Sequence, residues 1–471
     1  MPILLPLALL LTLSGDDTPE WPGFRGANGS GVSSAKGLPT GLDPETNLMW
    51  RVDVPSGYSS PCVAGKDLYL TGTDGKSKLY VMCFDAGSGE ERWRKEIAYD
   101  GSRPGANSPA APSPATDGER VYALFHHAGL VVYDKTGKEL WKKPIGPFNI
   151  PHGMAASPVL HGDLVLLQID QDKEAYLVAF DKRTGDEKWR TDRPEVAHGY
   201  ATPAVYAPAS GPAQIVLSGS FQAASYSLAD GKKLWWVDGA GWQAKSIPVF
   251  AGNRCYVNSF VPTLSEMQYP SFKGTFQEAL AHDANGDGKL AATEWDEEGL
   301  RQLWFLFDMD GDMLLDEDDW KFALQADQAR GGLFAIDLGG KGDVTKSNVA
   351  WKLDDKRTLS DVTSPVIVGN TLFVIGEGGL LASIDGASGK VIKHERVGDS
   401  DEYFASPVAG DGKLYFASLG GLLSVVSAEP DWKVLSQHAL DDSKVWATPA
   451  LVGHSVYVRS EDALYCFEDA E

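Results

Sequence analysis

The sequence predicts an all-β protein built as an eight-bladed β-propeller, and three observations lead there. First, a Ser/Thr-Pro dipeptide precedes an apolar alternating run at Ser60-Pro61, Ser113-Pro114, Ser157-Pro158, Thr202-Pro203, Ser364-Pro365, Ser406-Pro407 and Thr448-Pro449, and Ile247-Pro248 fills the one missing place. Successive prolines are 53, 44, 45, 45, 117, 42 and 42 residues apart, and four short strands per ~40–45 residues is the period of a propeller blade. Second, in four units a Trp follows a Gly by four residues: Gly89/Trp93, Gly137/Trp141, Gly185/Trp189 and Gly231/Trp235. A repeated tight turn with a Gly at positive φ demands such a fixed offset, and the indoles are expected to pack blade against blade. Third, the last unit stops at Leu464-Tyr465-Cys466-Phe467, after its third strand, while Asn47 to Val52 reads as a strand with a Trp and no unit of its own. Pairing the two closes the ring with a strand from each terminus and leaves no open edge.

The elements follow in order. Residues 1–15 read as a signal peptide: an apolar run too short for a bilayer span, with Thr12 and Ser14 as small residues ahead of the cleavage site. Residues 16–46 form an N-terminal extension. Residues 47–260 hold the closing strand, four blades and the first half of the fifth. Residues 261–330 interrupt blade five, and residues 331–471 complete it and carry blades six to eight. The chain is therefore expected to be exported, periplasmic or extracellular, and not an integral membrane protein; a monomer is expected.

Lys and Arg number 42 against 65 Asp and Glu, a net charge of −23. Phosphate backbones would be repelled, so no nucleic-acid partner is expected. Cys62, Cys83, Cys255 and Cys466 form no CxxC and no adjacent pair. Redox and metal-cluster motifs are thereby excluded, and the sequence alone places no disulfide.

Ala179 to Trp189, with Phe180-Asp181, Thr184-Gly185 and Trp189 at its key places, resembles the tryptophan-docking motif of the pyrroloquinoline-quinone-type propeller repeat. Trp21-Pro22-Gly23-Phe24-Arg25-Gly26 is similar to the opening of exported bacterial propellers with these repeats. The resemblance covers nearly all of residues 20–471 outside the interruption. It implies the fold rather than an activity, because the repeat family includes quinoprotein dehydrogenases as well as non-catalytic scaffolds. Among the latter is the propeller subunit of the outer-membrane β-barrel assembly machinery.

The interruption in blade five carries the sharpest chemistry. Asp283, Asn285 and Asp287 stand at positions 1, 3 and 5 of a twelve-residue EF-hand loop, with Gly288 at position 6, the Lys289 carbonyl at position 7 and Glu294 at position 12. Calcium needs six to eight hard oxygen ligands, and this spacing wraps them round one centre. A second loop follows with Asp308, Asp310 and Asp312, the Leu314 carbonyl and Asp319. Its position 6 is Met313, which resists positive φ, and its position 12 is the shorter Asp, so weaker binding is expected. Leu290 and Leu315 should pair across the two loops. Leu300, Leu303, Trp304 and Phe307 fall at helical spacing and read as a small core. Calcium is the expected ligand.

A strand count places this insertion on the face where each innermost strand begins. Three residues before each repeat proline lie Tyr58, Ala111, Ala155, Tyr200, Lys245, Val362, Phe404 and Trp446. With His152 and His198 they are expected to form a collar round the central funnel. The expected function is a calcium-binding, non-catalytic binding or assembly scaffold whose protein or small-molecule partner meets the funnel face. The alternative is a quinoprotein dehydrogenase oxidising an alcohol or sugar. The family resemblance would then imply a bound quinone, Ca²⁺ at it, an Asp base and often a vicinal Cys pair. That pair is absent, as is a haem-binding CxxCH, so a quinone is not expected. A hydrolase with His152 or His198 as base finds no GxSxG or HExxH to support it.

Overall fold

The computed structural model describes residues 21–102, 105–261, 272–295, 298–398, 400–440 and 443–469. The expected signal peptide lies outside the described residues. Eight sheets of four antiparallel strands make an eight-bladed β-propeller, and in blade 4 the short strand Gly342–Asp343 adds in parallel to the outermost strand Lys233–Asp238. In blade 1 the strands are Cys62–Ala64, Asp67–Thr73, Lys78–Asp85 and Glu91–Ala98. The first three are buried and the outermost alternates exposed and half-buried residues, as expected where only one face of an edge strand packs. Blade 8 is assembled from both ends of the chain: Leu48–Asp53 pairs antiparallel with Ala463–Phe467. In blade 5, Arg254–Asn258 pairs with Leu333–Asp337 across the interrupting segment. No helix among the described residues is long and apolar enough to cross a membrane.

Two devices tie the blades together. The outer one is the Trp-to-Gly contact. Gly185 has φ 74°, and a Cβ there would lie 2.7 Å from the ring of Trp141 in the preceding blade. Gly137 stands in the same relation to Trp93, whose Nε1 donates to the Lys135 carbonyl at 2.9 Å. Each Gly thus serves its own turn and leaves room for its neighbour's indole. The inner device is a ring of hydrogen bonds made by the residues before the repeat prolines. Ser60 N donates to Ser113 Oγ at 2.8 Å, Ser113 N to Ser157 Oγ at 3.0 Å, and Ser157 N to Thr202 Oγ1 at 2.9 Å. The ring resumes from Ile247 N to Ser364 Oγ and runs through Ser406 and Thr448 back to Ser60 Oγ. Its one gap lies between Thr202 and Ile247, because Ile has no hydroxyl.

Residues 21–33 cross the end of the axial channel that the innermost strands run toward. Trp21 bridges Val63, Pro22 O accepts from Thr116 N, Asn28 bonds Val205, and Val32 bridges Ala409. Gly29 lies against the Ile247 side chain. Arg25 is fully buried and donates to Ser364 O at 3.0 Å and Pro365 O at 2.7 Å. Burial, with no carboxylate partner among the described residues, pulls its guanidinium down to about 9. This segment reaches blades 1, 2, 4, 5, 6 and 7 and seals the channel at one end.

Candidate functional site

Because the N-terminal segment seals one end, the central channel is a cup of about 320 Å³ with Phe24 among its lining residues. All eight residues three before the repeat prolines line it, and His152 joins them. The expected collar is therefore brought together, with one correction. His198 is fully buried and does not line the cup. Its Nδ1 lies 2.8 Å from both carboxylate oxygens of Asp172, and its ring packs among Trp242, Phe322 and Tyr200. Gln243, 3.1 Å from His198 Nε2, lines the cup instead.

The cup has two unlike walls. On blades 7, 8 and 1 three rings pack on one another: Tyr58 stacks on Trp446 with centroids 4.5 Å apart, and Phe404 meets Trp446 at 4.6 Å. The wall from blades 2 to 6 is polar, with Asn107, His152, Tyr200, Gln243, Lys245 and Asp361. Lys245 Nζ and Asp361 Oδ1 are 2.6 Å apart, so the lining's one cation and one carboxylate compensate each other. Burial, with His198 and Lys245 adding to it, lowers the His152 imidazole to about 4 and keeps it neutral at physiological pH. Beyond Asp361, burial and the charges of Asp361 and Glu402 raise the Glu377 carboxyl.

The insertion runs from helix α1 (Phe276–Ala279) through a loop to α2 (Glu298–Phe307), and through a second loop to α3 (Glu317–Gln328). A single ten-residue helix is both the exit of the first loop and the entry of the second. Leu290 pairs with Leu315 in a two-residue bridge. Both leucines are buried, as are Trp304, Phe307 and Trp320, and Leu303 packs against them; the Leu300 side chain lies outside the described residues.

The two loops make the same internal bonds. At position 1, Asp283 accepts from Gly286 N and Gly288 N, and Asp308 from Gly311 N and Met313 N. At positions 3 and 5, Asn285, Asp287, Asp310 and Asp312 each accept from the backbone N–H two residues on. At position 12, Glu294 spans Ala284 N and Ala291 N, and Asp319 spans Met309 N and Asp316 N. The shorter Asp thus bridges its loop as Glu does. Met313 also departs from expectation: it adopts φ 68° with its side chain 68% exposed, where solvent leaves room for the strained backbone. Carboxylate oxygens of Asp308, Asp310 and Asp312 lie within 4.8 Å of one another. Burial raises Asp319 to about 6.

The insertion packs on the funnel rim. Phe307 stacks on Trp242 at 5.5 Å, Phe322 meets Phe221 and His198, and Phe305 stands edge-on to His152 at 5.8 Å. Asn149 Nδ2 donates to Met309 O at 2.8 Å, and Lys173 Nζ pairs with Asp310 at 3.0 Å.

Sequence reasoning missed Phe24, Asn107 and Gln243, which enter the cup from irregular segments, and the axial hydroxyl ring, whose repeated Ser/Thr was a usable signal.

The family model described as "Outer membrane protein assembly factor BamB" matches residues 31–168, 77–235 and 173–471, overlapping spans as a repeat protein gives. A curated outer membrane protein assembly factor BamB from Burkholderia pseudomallei (strain K96243) is 27% identical over 168 residues, 34% of this chain and 39% of that relative's length. Among solved structures, BamB from Moraxella catarrhalis superposes with a TM-score of 0.56 at 9% identity, covering 89% of this chain and 97% of that one. A europium-containing methanol dehydrogenase superposes at 0.59 and 13% identity, covering 96% and 98%. Those two likenesses at low identity concern the fold alone, whereas the family model spans nearly the whole propeller, and the chain belongs to the BamB-like family of outer membrane protein assembly factors.

Proposed function

We propose that this protein is an exported, calcium-binding propeller that engages a partner at its funnel face without catalysing a reaction. The single observation that carries this reading is the convergence of all eight residues preceding the repeat prolines on one blind cup, beside an acidic insertion packed on its rim. Family membership supports a periplasmic, outer-membrane-associated location and a role in assembly.

The quinone alternative fits the residues poorly. Pyrroloquinoline quinone is a planar tricarboxylate. The cup offers one cation, Lys245, already paired with Asp361, and Glu377 and Glu402 add negative charge beside it. All four cysteines are free and buried, and none lines the cup.

Calcium fits the insertion. Asp283, Asn285, Asp287, the Lys289 carbonyl and Glu294 would hold one ion; Asp308, Asp310, Asp312, the Leu314 carbonyl and Asp319 would hold a second. Bound calcium would supply fixed positive charge that neutralises a segment carrying 16 acidic and 5 basic residues. Calorimetric titration with CaCl₂ tests this: Glu294→Gln should weaken binding at the first loop about tenfold or more, since a bidentate ligand is lost, while the propeller's thermal transition is retained. Unchanged affinity would remove the ligand assignment.

A further inference from the structure

The first loop of the insertion carries covalent chemistry of its own. We infer that Asn285 is a site of spontaneous modification: the Gly286 backbone nitrogen attacks its side-chain amide, and the cyclic imide that forms opens to aspartate or isoaspartate.

The sequence holds two Asn-Gly dipeptides, Asn28-Gly29 and Asn285-Gly286. Gly is the least hindered residue to follow an Asn in such a ring closure, because no Cβ stands beside the attacking nitrogen. The fold treats the two dipeptides differently.

At Asn285 nucleophile, electrophile and access come together. Gly286 N donates to Asp283 Oδ1 at 2.7 Å, so a carboxylate is in place to take the proton as that nitrogen attacks. Asp287 N donates to Asn285 Oδ1 at 2.8 Å, so a backbone N–H already meets the oxygen on which negative charge develops. The same bond closes a ring round the Gly286 peptide and holds the amide carbon beside its nitrogen. Asn285 and Gly286 are both exposed, and a Cβ built on Gly286 would meet nothing within 4 Å.

At Asn28 the same dipeptide is locked. Its side-chain amide donates to Val205 O and accepts from Val205 N. Gly29 is buried against Ile247, and its N–H donates to the Gly26 carbonyl, which is no base.

The reaction needs no oxidant or cofactor. The bond from Gly286 N to Asn285 Cγ forms and the Cγ–Nδ2 bond breaks. The N–H proton passes by way of Asp283 to the departing amino group, which leaves as ammonia. Water then adds to one imide carbonyl. Opening at Cγ restores the peptide with Asp at 285, and opening at the backbone carbonyl leaves isoaspartate, with one extra backbone atom between loop positions 3 and 4.

The consequence rests on the calcium reading of this loop. The Asp product gives the first loop the three carboxylates that Asp308, Asp310 and Asp312 give the second. The isoaspartate product shifts positions 5 to 12 against positions 1 and 3. Calcium on Asp283 and Asn285 would draw the base away from the Gly286 N–H, so the ion should protect the loop that holds it.

The test incubates the purified protein in neutral buffer with EDTA and follows both Asn-Gly peptides by mass spectrometry, with enzymatic methylation to detect isoaspartate. In the folded protein Asn285 should convert about tenfold or more faster than Asn28, which must wait for local opening. In urea the two should convert at similar rates. Asp283→Asn should slow Asn285 about tenfold or more in the folded protein and leave its rate in urea unchanged. Calcium at ten times its dissociation constant should slow the wild-type conversion about tenfold. Equal rates with and without calcium would leave the modification standing and remove calcium from the first loop. An unchanged rate for folded Asp283→Asn would overturn the role of that carboxylate. Conversion of Asn28 first, or an Asn285 that survives in the folded protein while it converts in urea, would overturn the inference, and neither result depends on a variant.

Discussion

Lys173 of blade 3 holds Asp310 of the insertion's second loop at 3.0 Å, so a cation entering that loop meets a carboxylate already engaged by the propeller. The Lys173 ammonium lowers the Asp310 carboxyl and is itself raised by it. Asn149 secures the same loop through the Met309 carbonyl. One carboxylate that would bind metal thus also fastens the insertion to the rim, beside the aromatic contacts of Phe307, Phe322 and Phe305.

Removing the ammonium should therefore favour calcium at the second loop. Lys173→Met is expected to tighten that site about 1.4- to fivefold, the worth of a partly exposed ion pair of ~0.2–1 kcal/mol. Calorimetry in the Glu294→Gln background isolates the second site. Weaker binding would mean that the pair shapes the loop rather than competing for it.

Gly185 should not tolerate a side chain. Its φ of 74° and its position 2.7 Å from the Trp141 ring, measured from an added Cβ, combine backbone strain with a clash. Gly185→Ala is expected to cost roughly 2–4 kcal/mol, read as a lower urea midpoint. Gly162, also at positive φ but with open space around its Cβ position, should cost only the backbone part, ~1–2 kcal/mol. Equal losses at both sites would contradict the indole-docking account.

The axial ring predicts a different sensitivity. Ser113→Ala deletes the acceptor for Ser60 N and leaves that buried N–H unpaired. The expected loss is ~1–3 kcal/mol, with faster exchange of the Ser60 amide. An unaltered amide would show that the hydroxyl ring carries no stability.

Acid should weaken the fold in a defined window. Burial lowers His126 to about 4, and its Nδ1 accepts from Met154 N at 3.2 Å. Because the folded value lies below the unfolded ~6.5, the folded state binds fewer protons between them. The favourable contribution is complete above pH ~6.5 and is lost as pH falls toward ~4. His126→Gln should flatten that part of the stability profile by on the order of 2 kcal/mol, measured by urea unfolding at pH 7 and pH 4.5. An unchanged slope would place the acid sensitivity elsewhere.

Blade count, blade boundaries and the eight cup positions were legible because a repeat stamps the same residues at the same offsets. Tyr58 and Trp446 share an offset from their prolines, so knowing the fold was enough to bring them together. Arg25, Phe24 and Gly29 were not readable in the same way. Their partners are backbone atoms and side chains as far away as Ser364 and Pro365, and no periodicity records such contacts. His198 shares its setting with His152 in sequence, each followed by Gly, yet Asp172 and Phe322 draw it into the packing beneath the insertion. The offsets differ, His152 lying six residues before its repeat proline and His198 five, and His152 meets the insertion only edge-on through Phe305.

The central claim is a binding cup without cofactor chemistry. The purified protein, incubated with pyrroloquinoline quinone and Ca²⁺ and then desalted, should retain no quinone absorbance, because Lys245 is committed to Asp361 and carboxylates flank it. Stoichiometric retention of the quinone would contradict the account and make the protein a dehydrogenase candidate.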